Sequence, residues 1–136
     1  MSTAKITLRE DCGNSPKNEF VQKLTVAFAT GDADSVAERV SDDVRWHIVG
    51  IGPIVGKAAV TAVFANPNRE PLTELFVDKV VTHGKSGAVN GTFVLSEDRG
   101  NGKWRNKSYS FCYVYEFVNA KGNSVKEITT YIIQTG

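Results

Sequence analysis

Three side chains in this sequence have chemistry to offer a small molecule. His47 carries an imidazole that titrates near neutral pH and can take up a proton. Tyr113 and Tyr131 carry phenols, which donate a hydrogen bond to a ligand oxygen and normally find a partner when buried. His47 and Tyr113 are therefore the candidate catalytic groups. The phenols also come with an apolar setting. Tyr109, Phe111, Tyr113, Tyr115 and Phe117 occupy every second position from 109 to 117, so one face of a strand there is wholly aromatic. Trp46 and Ile48 share a face two residues apart by the same rule, and His47 falls on the opposite face, toward the surface or an interface. Trp46, Ile48, Phe111, Tyr113 and Tyr131 are expected as strand-borne walls of a ligand cavity, completed by Leu24, Phe28 and Phe64 from helices. Such a cavity suits a small apolar or aromatic molecule. By the expectation no acid group reaches into it.

Other residues offer less. His83 precedes the turn Gly84, Lys85, Ser86, Gly87 and is expected in solvent. Cys12 and Cys112 are far apart, in no CxxC pair, so they read as free thiols in a reducing compartment, with no metal site and no cofactor implied. Cys112 has no adjacent base or helix N-terminus to activate it. Lys103, Trp104, Arg105 and Lys107 mix basic and aromatic character, yet one short cluster beside Asp98 and Arg99 reads as a hairpin tip rather than a nucleic-acid surface.

The elements that must position these groups follow from caps and periodicity. Ser15 before Pro16 signals a helix start, and Phe20, Leu24, Ala27 and Phe28 give one apolar stripe up to Thr30, with Gly31 ending it. Asp32 caps a second helix over Ala33 to Val40, and Ser41, Asp42 and Asp43 read as a turn. A strand is expected over Val44 to Val49, closed by Gly50, Gly52 and Pro53, then a third short helix over Lys57 to Ala65. Four further strands are expected at about Leu72 to Thr82, Ala88 to Glu97, Ser108 to Val118 and Ser124 to Thr135. Helices first and an antiparallel meander afterwards is the α+β pattern, in which a strongly curved, mainly antiparallel sheet wraps over the helices and leaves a cone-shaped space. Residues 1–14 read as an N-terminal arm and 15–136 as one domain.

The whole chain, 136 residues with 23% charged and 41% hydrophobic, fits one globular domain without disulfide or metal staples. Its formal charge of +1 gives no broad electrostatic reason to bind nucleic acid. No apolar run approaches the roughly twenty residues a membrane span needs, and MSTAKITLRED lacks a secretory pattern. A cytoplasmic location, no membrane and no nucleic acid are expected, and the sequons at Asn90 and Asn106 read as coincidental.

An ordered set of short signatures carries a family resemblance. They are FVQKLTVAFATGD at 20–32, SDDVRW at 41–46, IVGKAAV at 54–60 and YVYEFVNAKGNSVKEITTYI at 113–132. Together they resemble the SnoaL-like branch of the nuclear transport factor 2-like superfamily, with its cystatin-like α+β cone, which includes ketosteroid isomerases, limonene epoxide hydrolases, polyketide cyclases and non-catalytic binding domains. The resemblance implies the fold, a cavity and a homodimer, for which the outer face with Ser108, Ser110, Cys112 and Val114 is available. It does not carry over the two best-defined chemistries. The isomerase tyrosine and base positions fall on Leu24 and Ile48, neither of which moves a proton, and the late acid falls near Tyr113. The epoxide hydrolase Asp, Arg, Asp set falls near Asn90, Thr92 and Thr130. The expected function is binding of a small apolar molecule, with an isomerase or cyclase using His47 or Tyr113 and Tyr131, or a dimerisation domain without ligand, as alternatives.

Overall fold

A computed structural model describes residues 4–10, 14–66 and 68–136. Helix α1 runs Pro16–Thr30, and Ser15 Oγ accepts the Asn18 N–H at 3.1 Å to cap it. Gly31 ends α1 with a φ of 75°, the left-handed conformation. Asp32 then accepts the Ser35 N–H at 3.1 Å and opens α2, Ala33–Arg39. A third helix, α3, spans Lys57–Ala62 and tightens into a 3₁₀ turn over Val63–Ala65.

Among the described residues, seven strands form one unclosed sheet: β1 (Lys5–Leu8), β2 (Val40–Ile48), β3 (Gly52–Val55), β4 (Leu72–His83), β5 (Ser86–Asp98), β6 (Trp104–Phe117) and β7 (Val125–Gln134). Their spatial order is β1-β4-β5-β6-β7-β2-β3, antiparallel except where β1 meets β4 and β2 meets β7. The three helices lie on the concave side, and α1 packs against β4 and β5. This is the α+β cone expected from the order of elements.

Curvature has local causes. The β4–β5 register shifts twice, between Leu72 and Glu74 and between Val77 and Lys79, and such bulges bend and twist a strand. At the second shift the Asn90 side chain accepts the Lys79 N–H at 3.0 Å. Gly91 completes the bend: a methyl there would collide with the Phe76 carbonyl and crowd the Phe111 ring. Absence of a side chain at this point lets β4 close on β5 beneath an aromatic ring.

Three segments differ from the sequence expectation. Residues 5–8, read as part of an arm, form β1, whose Ile6 and Leu8 are exposed, so burial left no periodic signal. The strand is held instead by parallel pairing with β4 and by Arg9 Nη1 bonded to Asp78 Oδ1 at 2.6 Å. Ser41, Asp42 and Asp43 are strand rather than turn, because β2 bulges between Val40, opposite Val125, and Arg45, opposite Glu127. Gly52 and Pro53 do not simply end a strand; they start edge strand β3, where a missing proline N–H is tolerated. The expectation for Cys12 lies outside the described residues.

The alternating aromatic pattern of β6 does face inward. Phe111, Tyr113, Tyr115 and Phe117 are all buried, whereas Cys112, Val114 and Glu116 between them are half-buried or exposed. Deep in the core the Tyr115 hydroxyl lies 2.6 Å from Thr25 Oγ1, which gives its own proton to the Val21 carbonyl at 2.8 Å. The phenol is therefore the donor to Thr25. This bond ties α1 to the centre of the sheet.

Candidate functional site

The wide end of the cone is not filled by its own side chains. A cavity of about 320 Å³ opens there, between the C-terminal half of α1, the 3₁₀ turn, the loop before β4, and the inward faces of β2, β5, β6 and β7. Its wall is mainly aromatic. The Phe28 ring is the hub, with its centroid 4.8 Å from Trp46, 5.5 Å from Tyr113 and 5.6 Å from Phe64. Phe111 meets Tyr113 edge-on at 5.7 Å, and the Trp46 and Phe64 rings lie 6.4 Å apart, 29° from parallel. These spacings lie within the range in which aromatic pairs attract. The wall thus combines low polarity with fixed orientation.

Trp46, Thr130 and Tyr113 bring polar groups into this wall. Trp46 Nε1–H donates to Thr130 Oγ1 at 2.8 Å, and Thr130 is fully buried. An indole can only donate, so the threonine oxygen accepts here and its own proton is free to point elsewhere. Tyr113 sits directly across from Thr130 on the neighbouring strand and takes part in a side-chain hydrogen bond with it. Tyr113 itself lines the cavity. Burial drives Tyr113 ionisation well above the ordinary phenol range, against the opposing pull of the Arg69 charge and the Thr130 bond. Tyr113 is accordingly a neutral donor, not a base.

Arg69 and Glu70 join the wall from the loop between the 3₁₀ turn and β4. The Arg69 guanidinium carbon lies 5.3 Å from the centre of the Phe64 ring, a cation–π arrangement. Its Nη1 occupies the space a side chain at Gly31 would need. Glu70 accepts from Lys107 Nζ at 2.8 Å, an ion pair that bridges the loop to β6. Glu70 corrects the expectation of a cavity without an acid group. Neither loop residue has periodicity or a motif to mark it; each is placed only when the loop folds across the open end of the cone.

Of the residues expected at the site, Phe28, Trp46, Ile48, Phe64, Phe111 and Tyr113 are brought together around the cavity. Leu24 is not among them: it is fully buried in the core, deeper along α1. Tyr131 is on the other side of the sheet, half exposed, because Tyr113 pairs with Thr130 and alternation then turns residue 131 outward opposite Cys112. Its inward neighbour Thr130 takes the place in the wall. His47 is exposed on the outer face, beside Thr129 and Pro53, and faces away from the cavity. His83 is exposed at the β4–β5 turn, and Cys112 is half-buried, with burial pushing its thiol up. Asn90 and Thr92, where epoxide hydrolase positions were expected, lie on the outer side of β5, while the intervening Gly91 and the following Phe93 turn inward.

The fold and an aromatic cavity at its wide end define a nuclear transport factor 2-like α+β cone. Residues 21–124 match the SnoaL-like domain family, and the chain belongs to it. No curated protein matches the chain significantly. Solved structures do. An NTF2-like protein of unknown function from Cytophaga hutchinsonii is 25% identical with a TM-score of 0.64, over 85% of this chain and 97% of that one. A second of unknown function, from Burkholderia pseudomallei, is 22% identical with a TM-score of 0.69, over 88% and 92%. An LEH-like epoxide hydrolase from Mycobacterium tuberculosis is 18% identical with a TM-score of 0.66, over 85% and 80%. At these identities the likeness to the last two concerns the fold, and a shared fold does not transfer chemistry.

Proposed function

We propose that the cone is a binding site for a small, largely apolar or aromatic molecule, held by ring contacts and by one hydrogen bond from Tyr113. The observation that carries this reading is the combination of an unfilled aromatic space of about 320 Å³ with a buried phenol, Tyr113, in its wall. Its volume lies at the small end of the range of about 300–1,000 Å³ for ligand pockets, which favours molecules of one or two rings. His47 is removed from any proton-transfer role by its outward position. Tyr113 remains suited to hold a carbonyl or hydroxyl oxygen, whether or not a reaction follows.

The test uses the indole in the wall. The protein has two tryptophans, and Trp104 is exposed on the β5–β6 hairpin, so a Trp104→Phe background leaves Trp46 as the sole reporter. Naphthalene-2-carboxamide, an uncharged two-ring probe, is expected to change Trp46 emission saturably, and to lose affinity in Tyr113→Phe. A flat titration with one- and two-ring probes of this kind would remove the binding reading.

The outer face supports a homodimer. Val49, Val114, Tyr131 and Ile133 all expose apolar surface there, Val49 just after β2 and the others on the paired strands β6 and β7. A two-fold pairing through this face would cover them.

A further inference from the structure

We infer that the cavity selects carboxylates: its ligand is a small apolar or aromatic acid whose carboxylate lies between Arg69 and Tyr113 while its body fills the aromatic space. This rests on the reading of the cone as a binding site and adds the chemical class of the ligand. The starting observation is an uncommitted cation. Arg69 has no ion pair among the described residues, although it lies in the cavity wall. Its one acidic chain neighbour, Glu70, is already engaged with Lys107 at 2.8 Å. Those two charges cancel, so the mouth of the cavity carries the net positive charge of Arg69.

The guanidinium is also positioned rather than loose. The Phe64 ring lies beneath it at 5.3 Å, Gly31 leaves room for its Nη1, and the Arg69 backbone N–H is tied to the Asn66 carbonyl at 3.3 Å. A planar fork of donors held this way matches the two oxygens of a carboxylate. The second donor, Tyr113, lines the same cavity as Arg69 and lies within its electrostatic reach. The arrangement also argues against a cation. An aromatic wall by itself suits a quaternary ammonium group, but the positive charge of Arg69 at the entrance repels one. With its charge at the mouth, a bound acid keeps its anionic end near water and buries only its apolar body, which limits the desolvation cost.

The experiment compares 2-naphthoate with naphthalene-2-carboxamide, matched in shape and differing in charge, by calorimetry on the full chain, with tetramethylammonium as a third probe. The acid is expected to bind roughly tenfold or more tighter than the amide, the scale of one charge-assisted hydrogen bond. Arg69→Met is expected to bring that ratio close to one. Tyr113→Phe is expected to weaken acid and amide together and leave a preference for the acid. Equal binding of acid and amide by the unaltered protein, an unchanged ratio in Arg69→Met, or a preference for tetramethylammonium would overturn the inference and leave the cavity as a binding site. Binding of none of the three would overturn the cavity reading itself.

Discussion

The indole of Trp46 and the hydroxyl of Thr130, 84 positions apart in the chain, share a 2.8 Å hydrogen bond inside the cavity wall. The bond holds the indole against Phe28, and Thr130 itself lines the cavity. Structure and binding are thus coupled at one buried threonine. Thr130→Val keeps the shape, strands the Trp46 N–H, and is expected to cost about 1–3 kcal/mol of stability. In a Trp46→Phe background the same change should cost clearly less, because no donor is left unpaired. Urea unfolding of the four proteins measures the coupling, and additive losses would show that the bond contributes nothing.

Alkaline pH provides a second test. Burial raises the ionisation of both Tyr113 and Tyr115 above their ordinary value of 10.0. A folded-state value above the unfolded one means the native protein holds these protons more tightly, so their contribution to stability is complete below pH 10. It is then lost as pH rises through the folded-state range. Unfolding free energy is expected to fall with pH from about 10 upward, and phenolate absorbance from these two residues should appear together with unfolding. Tyr113→Phe combined with Tyr115→Phe should flatten that fall; an unaltered slope would contradict it.

Phe28 and Phe64 both line the cavity but differ in what else they support. Phe28 is 3% exposed at the centre of the ring cluster, whereas Phe64 is half-buried at the rim. Phe28→Ala is expected to cost about 3–5 kcal/mol, the usual scale for a deleted core ring. Phe64→Ala should cost distinctly less while still weakening binding of two-ring probes. Thermal unfolding paired with calorimetry separates the two effects, and equal stability losses would count against the division of roles.

Gly31 has two duties that substitution can separate. Its φ of 75° ends α1, and its bare Cα makes room for Arg69. Gly50, with a φ of 89° and nothing near its Cβ position, has only the conformational duty. Alanine at either site is expected to cost about 1–2 kcal/mol from the left-handed backbone. Gly31→Ala alone should also displace the guanidinium and reduce the acid-to-amide affinity ratio. Identical binding by the two variants would mean Gly31 does not set the position of Arg69.

The outer face gives the last prediction. Ile133 is 68% exposed beside Tyr131, and Ile133→Lys would place a charge in any apolar interface there. Sedimentation at micromolar concentration is expected to show a dimer for the unaltered chain and a monomer for Ile133→Lys. A monomer in both cases would remove the proposed assembly.

The candidate site was legible where chemistry is local. Ser15, Pro16, Gly31 and Asp32 set the ends of α1 and the start of α2 by satisfying backbone groups within a few residues, and the structure uses each in that role. The alternating aromatics of β6 announced an apolar inner face because strand geometry sends every second side chain the same way. From such elements, in order, the α+β cone and six of the eight expected wall residues followed. Tertiary structure alone decided the rest. Alternation gives two faces to a strand but does not say which is inside, and the pairing of Tyr113 with Thr130 is what turned Tyr131 out and Thr130 in. β1 exists through hydrogen bonds supplied by a strand some seventy residues away, and Arg69 with Glu70 became site residues when a loop without periodicity crossed the mouth of the cone. Those outcomes depend on contacts between distant segments, and distance in the chain leaves no local trace of them.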